Sequence, residues 1–159
     1  MRVSVTTRMN ALLLEAYVPS DDPWRWEQKT LKYRSKKGPF DYNKSVHLGK
    51  FEGYSLEYLP YKDGYDDGDG GFLLLGSVLA LTEDDEVVAE ATVSLVHGLN
   101  GYSDVLTADI ETREDHRRRG ITTAALKAVE KHLKKKIVSP EVLGLHATPA
   151  GHAFFKTFK

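Results

Sequence analysis

Cysteine is absent from the chain, which removes disulfides, cysteine-based metal sites and a cysteine nucleophile together. Long apolar runs are missing as well. The run Ala11, Leu12, Leu13, Leu14 is far too short to span a bilayer. The opening residues, Met1 to Arg8, lack the apolar core of a secretion signal. These absences set the expectation of a cytoplasmic protein with no membrane partner. Nor is there an excess of charge of one sign: Lys plus Arg is 22 and Asp plus Glu is 23. The balance speaks against nucleic acid as a partner, although Arg113, Arg117–Arg119 and the lysine run 134–136 are the residues such a binder would use. The Gly-x-x-x-x-Gly-Lys-Ser/Thr phosphate loop does not occur, and there is no internal repeat.

What is present is an ordinary globular composition, 41% hydrophobic and 28% charged. A length of 159 residues favours one domain, 1–159, able to bury a core without staples. The first part reads as a short strand at 2–7 and a short helix at 9–17 ended by Pro19. A second helix follows at 24–33, with Asp21 or Asp22 as cap and Pro23 in its first turn. Basic residues end that helix, and Gly38-Pro39 breaks the chain. Segments 46–48 and 54–59 read as a hairpin. The acidic, glycine-rich loop 62–71 carries Asp63, Asp66, Asp67 and Asp69. Its spacing fails the EF-hand register, which leaves a flexible acidic loop able to attract a cationic acceptor. Trp24, Trp26, Tyr33, Tyr54, Tyr58 and Tyr61 either pack in the core or line a groove.

The second half is clearer. Segments 72–81, 86–96 and 105–112 alternate as strands and are joined by short turns, which predicts an antiparallel meander. A helix at 120–135 carries Ile121, Ala125, Ala128, Val129 and His132 on one face. Segment 142–147 reads as a strand, parallel to 105–112 through a right-handed crossover, and a last helix occupies 150–158.

Chemistry concentrates in residues 110–126. There a strand enters a tight basic loop with Gly120, and a helix opens with the small residues Thr122 and Thr123. Such a helix start presents unpaired N–H groups and the positive end of a dipole, a ready anion site. Gly120 permits close backbone approach. Arg117, Arg118 and Arg119 add charge at the rim. A solvated basic loop capping an amphipathic helix is the alternative reading of the same residues.

Residues 105–126 resemble the acyl-CoA loop of GNAT acetyltransferases, whose signature is Gln/Arg-x-x-Gly-x-Gly/Ala. Arg117, Gly120 and Thr122 fall on its three specified positions, Thr122 standing where the family has Gly or Ala. Residues 143–155, with Leu145, His146, Ala147, Thr148, Pro149, Ala150 and Gly151, look like the family's next strand and helix. Together with the meander these motifs cover about residues 72–158. The resemblance implies an α/β (α+β) fold: a mixed, mostly antiparallel sheet with flanking helices and a splayed central parallel strand pair. Residues 72–159 would form the acyl-CoA part and 1–71 a divergent acceptor-side part.

The resemblance also implies acetyl-CoA as acyl donor, no metal, and a primary amine of a small molecule or protein as acceptor. The CoA pyrophosphate would rest on the amides of Arg118, Arg119, Gly120, Ile121, Thr122 and Thr123, with Arg117 at the rim. The pantetheine would pair antiparallel with Ile110, Glu111 and Thr112, where a backbone N–H polarises the thioester carbonyl. Glu111 is the first choice of base, with Asp109 and Glu90 as further candidates of the same kind; a solvent-facing strand carboxylate is the alternative. The family's thiolate-protonating tyrosine corresponds to Phe155, which has no donor. His152, one turn earlier, is the candidate catalytic substitute, or else a polar helix residue; His146 either sees the pocket or packs in a strand. Family members usually continue into two further strands, whereas this sequence stops at Lys159. Segment 42–60 or a second subunit, in a homodimer, is expected to cover the sheet edge. A degenerate CoA-binding or protein-interaction module is the rival reading.

Overall fold

The computed structural model describes residues 22–62 and 72–158. The elements expected at 2–7 and 9–17, and the acidic loop from Asp63 to Gly71, lie outside the described residues. Helix α1 spans Pro23–Ser35. The Asp22 side chain accepts from the Trp24 N–H at 3.0 Å, and Pro23, which has no N–H to satisfy, opens the first turn. The helix stops earlier than Gly38-Pro39. Lys36 turns left-handed at φ 55°, and its N–H closes on the Lys32 and Tyr33 carbonyls.

Strands β1 (Val46–Phe51) and β2 (Tyr54–Pro60) form the expected hairpin. Glu52 and Gly53 both have positive φ at its tip, which matches the right-handed twist of the flanking strands. Strands β3 (Phe72–Leu81), β4 (Val87–Leu99) and β5 (Tyr102–Thr112) continue the meander. The sheet runs in chain order, β1-β2-β3-β4-β5, and every neighbouring pair is antiparallel. Helix α2 spans Ile121–Leu133, and helix α3 spans Pro149–Thr157 behind a Thr148 cap.

Strand alternation sorts side chains to the two faces of the sheet. Val78, Ala80, Ala91, Val93, Leu106 and Ala108 pack beneath α2 with Ile121, Ala125, Leu126 and Val129. On α2 it is Leu126 that is buried, while His132 is exposed. The other face holds Leu59, Leu79, Leu81 and Val87 against Trp26 of α1. A bulge between Ala80 and Leu81 lets Val87 join this side, while Val88 and Ala89 both face α2. The Thr30 hydroxyl accepts the Val87 N–H at 3.0 Å and fixes α1 over β4. Trp26, Tyr54 and Tyr58 are core residues, whereas Trp24 is exposed.

Two expectations are corrected. Segment 142–147 is not a strand. After α2 only a short stretch lies parallel to β5, through one bridge, Leu106 to Ile137. Leu106 donates to the Lys136 carbonyl and accepts from the Val138 N–H, both at 2.8 Å. The Ser139 side chain then caps a 3₁₀ turn, Pro140–Leu143, which removes the chain from the sheet. The hairpin of segment 42–60 does not cover β5 either, since it pairs with β3 at the opposite edge. Among the described residues, no strand runs beside Ala108–Thr112 on the side away from β4. The Leu106 backbone points to that side, so by two-residue alternation the N–H and C=O groups of Ala108 and Ile110 do too.

At Gly76 the pairing of β2 with β3 leaves no room for a side chain. A Cβ placed there would sit 2.4 Å from the Leu59 carbonyl oxygen and 2.8 Å from the Pro60 Cα. Both are backbone atoms and cannot rotate away. Gly76→Ala is therefore expected to destabilise the fold by about 3 kcal/mol, the upper part of the overpacking range, in urea denaturation. Leu31→Ala, on an exposed position of α1, should stay within about 0.5 kcal/mol of wild type.

Candidate functional site

The loop between β5 and α2 is built from its own charged side chains. Arg113 Nε donates to Asp115 Oδ1 at 2.7 Å and its Nη2 to Asp115 Oδ2 at 3.1 Å. The same Nη2 lies 2.9 Å from His116 Nε2. These bonds fold Glu114–His116 into a 3₁₀ turn. Arg117 reaches back, Nε to the Thr112 carbonyl at 3.0 Å. Arg119 spans to β2, donating to the Tyr54 hydroxyl at 2.9 Å and to the Asp115 carbonyl at 3.2 Å. Arg117 and Arg119 thus brace the loop from within. The exposed Arg118 side chain makes no hydrogen bond or ion pair among the described residues, and its own φ is +61°.

Gly120 delivers the chain into α2. Its φ of +76° is left-handed, and no side chain caps the helix behind it. The N–H groups of Ile121, Thr122 and Thr123 therefore stand at the head of a 13-residue helix without a side-chain cap among the described residues. The Thr122 hydroxyl is taken up by Thr112, 2.8 Å between oxygens, which ties the end of β5 to the first turn of α2. Phe51 of the hairpin lies 3.4 Å from where a Gly120 Cβ would stand. Arg117, Gly120, Thr122 and the partly exposed edge Ile110–Thr112 are consequently brought to one end of the sheet.

The carboxylates chosen from the sequence sit on the opposite face, under α1. Glu90 and Glu111 are cross-strand neighbours on β4 and β5. Arg25 pairs with Glu111, and Lys29 Nζ lies 2.5 Å from Glu90 and 3.6 Å from Glu111. Burial lowers the affinity of Lys29 for its proton, but the Glu90 and Glu111 charges outweigh it and hold the ammonium above its ordinary value. Sequence reasoning missed Arg25 and Lys29. Their i,i+4 spacing on a helix was the available signal, but their partners lie 61 and 86 residues away.

The remaining candidates are dispersed. His152 is exposed and bonded to Glu141 at 2.5 Å, so its hydrogen bond joins α3 to the preceding 3₁₀ turn and not to β5. His146 is exposed in a stretch without regular structure, not in a half-buried strand. Phe155 packs with Phe154 and Phe158 against the α2 side of the core. A cleft of about 590 Å³ opens between α1 and the loop, lined among others by Trp26, Thr30, Arg34, Glu86, Arg113 and Asp115. Glu111, Gly120 and Thr122 do not line it.

Two outcomes follow from this geometry. A side chain at Gly120 meets a left-handed backbone, so Gly120→Ala should lower stability by roughly 1–2 kcal/mol in denaturant unfolding. The second concerns His116. Burial first, then the Arg113 and Arg119 guanidiniums, hold the ring below its ordinary value against the opposing pull of Asp115. The unfolded chain therefore takes up a proton that the folded chain refuses. Stability from the neutral ring is complete above the ordinary imidazole range near about pH 6.5 and is lost as pH falls from there through the lower folded value. The denaturation midpoint should drop on acidification through that window, and less steeply in His116→Gln.

No curated protein matches the chain in a sequence search. Residues 20–158 match the Acetyltransferase (GNAT) family, a span that begins well upstream of the loop and α3 motifs. The sheet with flanking helices, the uncapped head of α2 behind Gly120 and this match over most of the length agree, and the chain belongs to the GNAT acetyltransferase family.

Proposed function

We propose that the chain transfers an acetyl or short acyl group from acetyl-CoA to a primary amine by direct attack, with no covalent enzyme intermediate. The observation that carries this reading is the head of α2. A left-handed Gly120 leaves the Ile121, Thr122 and Thr123 N–H groups uncapped at the positive end of the helix, which suits a diphosphate. The backbone of Arg118 and Arg119 leads into the same turn. Beside it, the outward edge of Ala108–Thr112 offers backbone groups for an extended pantetheine to pair with, Ile110 and Thr112 included. An N–H on that edge suits polarisation of the thioester carbonyl.

In the reaction the amine nitrogen bonds to the acyl carbon, the carbon–sulfur bond breaks and CoA leaves as thiolate. The attacking amine must first shed a proton. Glu111 takes it, directly or through water, and Glu90 lies beside it in register. Arg25 and Lys29 compete for those same oxygens, so the acceptor must approach where α1 grips the sheet. That competition is also what favours the second reading, a CoA-binding module without turnover. In that reading Glu111 and Glu90 only hold α1, and His152 only binds Glu141.

A thiol-detecting assay separates the two. With acetyl-CoA and a panel of primary amines, thiol release that depends on the amine supports the transferase. CoA binding without release supports the module. For the transferase, Glu111→Gln should lower kcat by about 10²–10⁴-fold while leaving CoA affinity within about twofold, because only the side chain changes and the strand edge is retained. Unchanged turnover would remove Glu111 as base.

A further inference from the structure

Four charges, two of each sign, meet where α1 crosses β4 and β5. Arg25 and Lys29 stand one turn apart on α1. Arg25 pairs with Glu111 Oε1, and Lys29 Nζ lies 3.6 Å from Glu111 Oε2 and 2.5 Å from Glu90. Both oxygens of Glu111 therefore face a cation. The four side chains are between 13% and 25% exposed, so solvent reaches the set. Strand alternation and register place Ser77, Thr92 and Asp109 in the next row along the same face. The Ser77 and Thr92 hydroxyls lie 3.3 Å apart. Near Trp26 the face is apolar, with Leu79, Leu81 and Val87, but over β4 and β5 it is polar. Such a floor suits a polar ligand.

A base at Glu111 is blocked until one of its two cations is drawn off. A simple amine does this poorly. It arrives as a third cation beside two, and displacing either one strands a partly buried charge. A ligand that brings an anion together with its ammonium exchanges partners and leaves no charge alone. We propose that the acceptor is an amine bearing its own acidic group, an amino-acid-like zwitterion, and that Arg25 and Lys29 select it. Its carboxylate takes Arg25, whose planar fork matches two oxygens. Its ammonium takes the side of Glu111 that Arg25 leaves, toward Asp109, while Lys29 stays on Glu90. This inference deepens the acyltransferase reading with Glu111 as base and rests on it. In the step, the substrate ammonium passes one proton to Glu111 and the neutral nitrogen bonds to the acyl carbon. The carbon–sulfur bond then breaks, and the surplus proton on nitrogen neutralises the departing thiolate.

The test is thiol release by the full chain from acetyl-CoA, with acceptors matched in pairs that differ only by the carboxylate. Glycine is set against methylamine, 4-aminobutyrate against propylamine, and free lysine against cadaverine. The acid-bearing member of the best pair should have a kcat/KM higher by roughly tenfold or more, the worth of a charge-assisted hydrogen bond. Arg25→Gln should raise KM for that acceptor by roughly ten- to hundredfold, change kcat less, and erase the preference, with thermal denaturation reporting that the variant is folded. A wild type that uses the plain amines as well as their acid-bearing partners overturns the proposal and leaves the transferase reading standing. So does turnover of other primary amines with none of the acid-bearing ones. A preference that survives in folded Arg25→Gln also overturns it. No thiol release with any primary amine removes the reading and the proposal together. If Arg25→Gln fails to fold, the wild-type ratios decide, with Arg25→Lys, which keeps the charge but not the fork, expected to retain only part of the preference.

Discussion

At Gly120 the backbone adopts φ +76°, and this left-handed residue governs how β5 hands the chain to α2. An ordinary side chain would strain the turn, and a Ser or Asp in its place would cap the helix with its own oxygen. Glycine does neither. It leaves the first-turn N–H groups without a side-chain cap among the described residues, while the Thr112–Thr122 hydroxyl pair keeps strand and helix in fixed relation. The surrounding arginines then make sense as braces. Two of the three in the run 117–119 bond inward, to Thr112, Tyr54 and Asp115. Rigidity of the loop comes from these bonds, and the groups left pointing outward at the helix head are backbone N–H groups.

The other face of the sheet follows a different logic. Glu90 and Glu111 are half-buried and are neutralised by two cations from α1. Partly buried charges of this kind are stable chiefly because each has a partner, and removing one member leaves the others exposed to the desolvation penalty. Helix α1 is held to the sheet both by Trp26 in the apolar cluster and by this ionic set. In the proposed reaction, an amine at Glu111 would meet a carboxylate already shared between Arg25 and Lys29.

Much of the frame was legible in the sequence. Strands β3 to β5 and helix α2 declare themselves by period-2 and period-3.6 patterns, and Asp22-Pro23 and Thr148-Pro149 mark helix starts through capping chemistry. Residues 142–147 misled because a short apolar run has no period of its own. Val142, Leu143 and Leu145 suit a strand, but Ser139-Pro140 starts a tight turn just before them. Of the site, the loop residues were legible because Gly120 and its basic neighbours are adjacent in sequence. Tyr54 was noticed only as one aromatic among several. Its tie to His116 and Arg119 joins positions 62 and 65 apart and becomes visible only once the hairpin folds beside the loop.

The sheet order carries a consequence for assembly. Each of strands β2 to β5 pairs with the one before it in the chain, so every pairing in the five-stranded sheet joins neighbours in sequence. Helix α2 packs on one face of that sheet, and the Leu106–Ile137 bridge adds a single parallel contact at its edge. Local pairings of this kind favour rapid folding over the slower search that a long parallel sheet demands. The scaffold beneath the loop is thus made of local pairings, whereas the tie of Arg119 in the loop to Tyr54 on the hairpin spans 65 residues.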